Sequence, residues 1–158
     1  LLKSLAASTN TPIADLAKRL EQIMEQSAAL EKKLKVYRDK ESSQLADTLA
    51  AKAADRAGLK YVVSQVSAET PNDLRDLGAK VAGKVGPAAV VVLAAVFGDK
   101  VSLVANCGAD AVKAGKAAGK IVTDACGKLG GKGGGKPDAA MGGGTDVSKV
   151  AEALASVA

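Results

Sequence analysis

Apolar residues recur at alternating three- and four-residue intervals early in this 158-residue chain. This heptad spacing is typical of a coiled-coil helix, and only Ser27 interrupts it. The stripe consists of Ile13, Leu16, Leu20, Ile23, Leu30, Leu34 and Tyr37. It predicts one long helix that begins near Pro12 and ends at Ala57-Gly58, within a helical stalk over residues 1–57.

A helix with such a stripe needs a partner that covers it. Two partners remain open: a second copy of the chain, or a helix that precedes Leu1, because residues 1–8 look like the last turns of a helix cut off at its start. The missing initiator Met also leads us to expect a fragment. For an oligomer, the expected interface residues are Leu16, Leu20, Ile23, Leu30 and Leu34.

The rest of the chain alternates strand and helix patterns. The predicted strands, rich in β-branched and apolar residues, are residues 59–66, 88–97 and 100–106. A helix begins at Thr70 and stops at Gly86-Pro87, between the first two of these strands. We therefore expect a globular α/β (α+β) domain over residues 58–158, with a small three-stranded sheet, flanking helices and its first two strands parallel.

The last part of the chain combines a helix pattern with a concentration of glycine. Apolar residues recur at helical spacing over residues 112–129, which predicts a single helix. Nine of the 17 glycines fall within residues 127–144, and we interpret residues 130–144 as a Gly-rich loop. A short terminal helix follows, capped by Thr145-Asp146.

The composition argues against several kinds of site. The chain has no His, which removes Ser/His triads, Cys/His nucleophiles and His-containing zinc sites. Two cysteines, Cys107 and Cys126, cannot complete a four-ligand metal site or a disulfide framework. We therefore expect no catalytic residue, no metal and no cofactor in this chain. Its longest apolar run, residues 88–97, is too short to span a bilayer, and no secretion leader is recognisable, so no membrane partner is expected.

Lysine is concentrated in the second half of the chain. From Lys80 to Lys136 there are nine Lys and three acidic residues, a surplus of six. Such an excess indicates a polyanionic partner, although a surface tuned for solubility is the alternative explanation. A row of lysines at helical spacing leads into the glycine run. The predicted nucleic-acid-binding residues are Lys113, Lys116, Lys120, Lys128, Lys132, Gly133, Gly134, Gly135 and Lys136.

The glycines are included because their backbone N–H groups are unobstructed and suit phosphate oxygens. Residues 130–137 match the first seven positions of a P-loop, but Pro137 lacks the hydroxyl that would hold magnesium, so we reject an NTPase. A flexible linker is the alternative interpretation of this run. Two features favour phosphate contact instead: the run contains no Ser, and Lys132 and Lys136 stand at fixed positions within it. After Tyr61 the only aromatic residue is Phe97, in an apolar strand, so we expect recognition of backbone and shape rather than bases.

The segment from Gly131 to Lys149 resembles the C-terminal end of alanyl-tRNA synthetases. Its glycine run, the basic-Pro-Asp element at 136–138, the second glycine cluster and the short helix follow in the order of the DHH-associated domain found there. The resemblance extends from the heptad helix to Ala158. The chain departs from the family at two places. The family usually has Arg where this chain has Lys136, and a lysine offers a phosphate a point charge instead of the bidentate fork of an arginine. The family also commonly has Met-Ala-Gln where this chain has Ala139-Ala140-Met141.

The resemblance implies a cytoplasmic, tRNA-binding C-terminal module of an alanine–tRNA ligase. Such a module would contact the outer corner of the alanine-specific tRNA and help the aminoacylation and editing modules act on one tRNA. The implied partners are this tRNA, the upstream domains of the same synthetase and a second copy of the chain through the stalk. In the family, the ATP, magnesium and zinc sites lie in upstream domains. Two alternatives remain: a dimerisation or structural module, and a nucleic-acid-binding accessory domain of a DHH-family phosphoesterase.

Overall fold

The computed structural model of the protein describes residues 2–157, leaving the side chains of Leu2, Leu5 and Ala6 undescribed. It divides into two compact units, Leu1–Glu41 and Ser42–Ala158. The division falls within a helix and not between residues 57 and 58. The reason is that Ala46 and Leu49, in the last turns of this helix, are buried in the core of the second unit.

The first unit is helical. Helix α1 spans Leu2–Ser8, a 3-10 turn covers Ile13–Asp15, and α2 begins at Leu16 and continues to Ala51. Thr11 does not cap the second helix, since its hydroxyl donates a hydrogen bond to the carbonyl oxygen of Thr9 (2.9 Å). The predicted long helix is therefore present, but it begins one 3-10 turn later than Pro12.

The predicted helix end at Ala57-Gly58 is wrong. A short strand, β1 (Ala54–Arg56), follows α2 and pairs antiparallel with β2 (Leu59–Gln65). Ala57 and Gly58 form the turn between these strands, with φ angles of 52° and 78°. Two-residue hairpin turns need such positive angles to match the twist of their strands. The sequence analysis correctly expected a left-handed backbone conformation at Gly58, but this conformation closes a hairpin and does not end the helix.

The sheet of the second unit has six strands where the sequence predicted three. The other strands are β3 (Ala89–Phe97), β4 (Lys100–Cys107), β5 (Lys132–Gly135) and β6 (Ala139–Gly144). Their order in the sheet is β1-β2-β3-β4-β6-β5. As predicted, β2 and β3 are parallel, because α3 (Pro71–Val85) connects them; every other neighbouring pair is antiparallel. The expected α/β class is confirmed.

The crossover helix α3 begins where the sequence predicts. Thr70 and Asp73 form a capping box: the Asp73 N–H donates to Thr70 Oγ1 (3.2 Å), and the Thr70 N–H donates to Asp73 Oδ2 (3.0 Å). Gly86, with a φ of 100°, ends the helix. Local chemistry thus determines both ends of the connection between the parallel strands.

Helices cover both faces of the sheet. The end of α2 and α3 pack on one face, while α4 (Ala109–Lys113), α5 (Ala118–Lys128) and α6 (Val150–Ala155) cover the other. Alternate residues of β3 divide between the two layers: Val91 and Leu93 contact the α3 layer, and Val90 and Val92 the α5 layer. Burial on both faces explains why this strand is apolar throughout.

The single helix predicted over residues 112–129 is wrong, because it is two helices. The chain leaves α4 after Lys113 and enters α5 at Ala118, and Gly115 in the connection has a φ of 86°. The Lys116 N–H donates to the Ala111 carbonyl oxygen (2.9 Å), which closes the turn. Lys113, Lys116 and Lys120 therefore lie on α4, in the turn and on α5, and do not share one helical face.

The Gly-rich loop predicted over residues 130–144 is also wrong. Strands β5 and β6 form an antiparallel hairpin there, and β6 pairs with β4 to extend the sheet. Glycine is usually depleted in strands because it lacks a side chain to pack. Here its small size is what the packing requires, as the contacts with α5 show.

Candidate nucleic-acid interface

Helix α5 lies directly on the glycine hairpin. A methyl group built on Gly133 would meet Val122 Cγ1 at 2.5 Å and Cys126 Sγ at 3.0 Å, and one on Gly142 would meet the same sulfur at 2.7 Å. Real Cβ contacts are longer than this, so only glycine fits at these two paired positions. The glycines of the hairpin therefore fix its distance from the buried face of α5.

The outer edge of β5 presents backbone amides beside α5. The Lys136 N–H donates to Ala139 at the hairpin turn, so by the alternation of an antiparallel pair Gly133 and Gly135 point away from β6. Thr123 Oγ1 lies within hydrogen-bonding distance of the Gly133 carbonyl oxygen (3.0 Å) and of the Gly119 carbonyl oxygen (2.8 Å). Among the described residues, no acceptor lies against the N–H of Gly135. This edge therefore offers an exposed donor.

A groove of about 330 Å³ runs along the first half of α5 and this edge. Its lining combines small residues with charged and hydroxyl side chains. The lining residues are Ala117, Gly119, Lys120, Thr123, Asp124, Gly134, Gly135 and Pro137. The groove thus joins two elements that the sequence analysis predicted as sites, the lysine row and the glycine run.

Three of the predicted lysines lie at the end of the domain where α5 begins. The Ala118 N–H donates to the Pro137 carbonyl oxygen (2.8 Å), which places Lys136 beside the start of α5. Lys116 comes just before this helix, and Lys120 lines the groove. The structure therefore brings Lys116, Lys120 and Lys136 to one end of the glycine hairpin.

The other predicted lysines lie elsewhere. Lys128 is the last residue of α5, at the opposite end of the helix. Lys132 alternates with Gly133 along β5 and so lies on the sheet face away from α5. Lys113 on α4 lies 3.8 Å from Asp110 Oδ1. The nine predicted residues therefore do not form one continuous row.

Comparison with known proteins matches residues 58–158 to the model of the DHHA1 domain. The matched residues include strands β2 to β6, helices α3 to α6 and the groove. The chain belongs to the DHHA1 domain family.

Relatives outside the family model agree with this. An alanine–tRNA ligase of Opitutus terrae is 49% identical over 153 residues, which is 97% of this chain and 16% of that protein. An alanine–tRNA ligase of Methylobacillus flagellatus is 42% identical over 158 residues, 100% of this chain and 18% of that protein. The chain thus spans less than a fifth of these relatives, and the resemblance to alanyl-tRNA synthetases is confirmed.

A solved structure has the same fold. The C-Ala domain from Aquifex aeolicus alanyl-tRNA synthetase superposes with a TM-score of 0.62 at 24% identity, covering 67% of this chain and 94% of that one. At this identity the likeness concerns the fold alone. It supports the mixed sheet with helices on both faces described above.

The thiols of this DHHA1 domain are buried and protonated. Burial raises the pKa of Cys107 to about 11; the Asp138 carboxylate adds to the rise, and the Lys116 ammonium opposes it. Burial likewise raises the pKa of Cys126. Both cysteines are free thiols in the core. The influence of Lys116 and Asp138 on one sulfur also agrees with their common location at the start of α5.

The start of the terminal helix is occupied by its own residues. Ser148 Oγ donates to Asp146 Oδ1 (2.6 Å), and Lys149 Nζ lies 3.3 Å from Asp146 Oδ2. The hydrogen bond from Ser148, followed by the contacts from Lys149, lowers the pKa of the Asp146 carboxyl. We therefore place the candidate interface of the domain at the hairpin and not at this helix start.

Sequence reasoning missed Thr123 and Asp124. Neither belongs to a recognisable motif, and the groove that they line exists only because β5 lies beside α5. Their spacing from Lys120, three and four residues on the same helix, was the available signal. That signal was not used because the glycine run was treated as a loop.

Metal and membrane features are absent from the described part of the chain. No three His, Cys, Asp or Glu side chains there are grouped to hold a metal ion. None of the helices described combines the length and apolar character needed to cross a membrane.

Proposed function

We propose that this chain is the tRNA-binding C-terminal module of an alanine–tRNA ligase. The proposal is supported by the names of its relatives and by the positive end of the glycine hairpin. The module contacts the outer corner of the alanine-specific tRNA and helps the aminoacylation and editing modules act on the same molecule. The catalytic sites, with ATP, magnesium and zinc, belong to other domains of a cytoplasmic synthetase.

One observation carries the proposal. Lys116, Lys120 and Lys136 lie at the end of the glycine hairpin where α5 begins, and no described residue accepts a hydrogen bond from the Gly135 N–H at this end. Ammonium groups attract phosphates over distance, and an amide adds a directed hydrogen bond at contact. This combination suits a nucleic-acid backbone.

The recognition is one of backbone and shape. Tyr61 and Phe97 are partly buried against the two core clusters, so they are not free to stack on bases. Tyr37 is 68% exposed but lies on α2, in the other unit. A folded RNA with a regular phosphate arrangement, such as the tRNA corner, fits this lack of stacking groups.

The salt dependence of binding tests the proposal. Each phosphate contact releases counterions, so affinity for a tRNA transcript falls steeply as salt rises from about 50 to 200 mM. Lys116→Ala with Lys136→Ala lowers the slope by roughly one to two units. The matched control is Lys52→Ala with Lys60→Ala, which removes two exposed lysines near the opposite edge of the sheet. A salt-insensitive affinity, or no binding at low salt, contradicts the proposal.

A second candidate function is dimerisation through α2. Several heptad side chains are largely exposed, with 59% of Leu20, 65% of Leu30 and 50% of Leu34 accessible. Covering such a stripe with a partner helix is favourable, because it buries apolar side chains. Nothing described in the chain favours the accessory domain of a DHH-family phosphoesterase.

A further inference from the structure

The groove beside β5 carries both a positive and a negative side chain. Lys120 and Asp124 lie one helical turn apart on α5, and both line the groove. They are not joined as an ion pair in the described structure, so each is available to a ligand. Gly135 and Thr123 also line the groove. A ligand for this groove must match donors and an acceptor together.

A phosphate alone does not match this lining. The Gly135 N–H and the Lys120 ammonium suit a phosphate oxygen, but the Asp124 carboxylate repels a second anion. The carboxylate becomes favourable when the ligand offers a hydroxyl donor next to its phosphate. A ribose-phosphate unit has both groups, since its 2′-hydroxyl can donate a hydrogen bond, and this hydroxyl is what distinguishes RNA from DNA.

We infer that the groove binds one ribose-phosphate unit of RNA and selects RNA over DNA. The phosphate lies on the Gly135 N–H and the Lys120 ammonium, and the ribose 2′-hydroxyl donates to the Asp124 carboxylate. Thr123 holds the edge strand in place through the Gly133 carbonyl. The inference rests on the proposed function, because it takes the ligand to be the RNA that the module binds.

A protein strand is the competing occupant of such an edge, and the structure disfavours it. An added strand must pair with both the N–H and the C=O groups of alternate residues. The Gly133 carbonyl faces the Thr123 hydroxyl, and a Cβ on Gly119 would lie 2.8 Å from the Gly135 carbonyl oxygen. Helix α5 therefore covers these two carbonyls, so an added strand would lack its hydrogen-bond acceptors on this edge.

The test compares a tRNA transcript with an all-2′-deoxy molecule of the same sequence, using the whole chain. The measured quantity is the affinity for the tRNA transcript divided by the affinity for the 2′-deoxy molecule, at one salt concentration. Asp124→Ala lowers this ratio by about tenfold or more, as expected for losing one hydrogen bond to a charged group, and Asp124→Asn retains part of it. Asp124 is exposed, so these variants keep the fold. Glu152→Ala, which removes an exposed carboxylate of α6, leaves the ratio unchanged.

The amide resonance of Gly135 gives a second measurement. It shifts when tRNA is added to the unsubstituted chain, and the shift persists in Glu152→Ala. If tRNA binds with the expected salt dependence but Asp124→Ala leaves the ratio unchanged, the inference is wrong and the proposed function stands. If the Gly135 amide resonance also fails to shift, tRNA does not occupy the groove, and a protein strand becomes the favoured occupant. If tRNA does not bind at low salt, the proposed function itself fails.

Discussion

Gly142 lies so close to Cys126 that a methyl group on the glycine would be 2.7 Å from the Cys126 Sγ. The contact joins the strand that extends the sheet to the helix that covers it. The same helix and hairpin form the candidate interface, where the outer edge of β5 lies beside the groove-lining half of α5. Side-chain volume at this contact therefore controls both stability and the interface.

Gly142→Ala is expected to destabilise the domain by about 1–3 kcal/mol, since an added methyl overpacks the contact between strand and helix. The measurement is chemical denaturation followed by circular dichroism. Gly134→Ala is the matched control in the same hairpin, because no atom lies within 4 Å of a methyl group there. Equal stabilities of the two variants would show that the hairpin does not lie on α5 as described.

Thr70→Ala is expected to lower the unfolding free energy by about 1 kcal/mol, because it removes the side-chain cap of α3. The substitution also removes the hydroxyl hydrogen bond to Asp73 Oδ2 (2.8 Å), while the backbone N–H of residue 70 still donates to that oxygen (3.0 Å). Thr48→Ala is a suitable comparison, since the Thr48 hydroxyl donates only to a carbonyl of its own helix, that of Gln44. A loss as large for Thr48 as for Thr70 would contradict the capping role.

The buried Cys107 thiol is expected to make stability fall at alkaline pH. Its pKa rises from 9.0 to about 11 on folding, so between these values the unfolded chain releases a proton that the folded chain keeps. The stabilisation is complete below pH 9 and is lost as the pH rises towards about 11. The measurement is the difference in unfolding free energy between the unsubstituted chain and Cys107→Ala. That difference shrinks over this range; two parallel curves would refute the prediction.

Leu20→Asp with Leu34→Asp is expected to abolish any self-association of the chain in sedimentation experiments. Both side chains lie in the heptad stripe and are at least half exposed in the single chain. Val36→Asp is the control, because Val36 is 67% exposed on α2 but lies outside the stripe. If the unsubstituted chain sediments as a monomer, the dimer is excluded. If tRNA binding survives both substitutions, tRNA binding does not depend on dimerisation through α2.

Some elements were predictable because their signals are local. The capping box at Thr70, the stop at Gly86 and the apolar run of β3 each depend on neighbours in the chain, and all three were correctly placed. The long helix was also recognised from its period. Its last turns were harder, since Ala46 and Leu49 are buried by the second unit and not by a coiled-coil partner.

The candidate site was predictable only in part. The sequence indicated the glycine run and the lysines, but it suggested a row on one helix, and the break at Gly115 separates them. Lys120 reaches the groove, whereas Lys132 lies on the opposite face of the sheet. The only signal for Asp124 was its four-residue spacing from Lys120, and that spacing indicates no ligand until the neighbours of the helix in space are known.

The sequence by itself determined the presence of the long helix α2 and the crossover helix α3, the strands with apolar side chains and the family resemblance, since each follows from the order of residue types along the chain. Only the tertiary structure decided that the glycine run is a pair of strands and that a groove opens beside it. The physical reason is that glycine has no side chain with which to signal a strand. Its role here comes from what it lets other residues approach, and Val122 and Cys126 reach it only when the chain has folded back on itself.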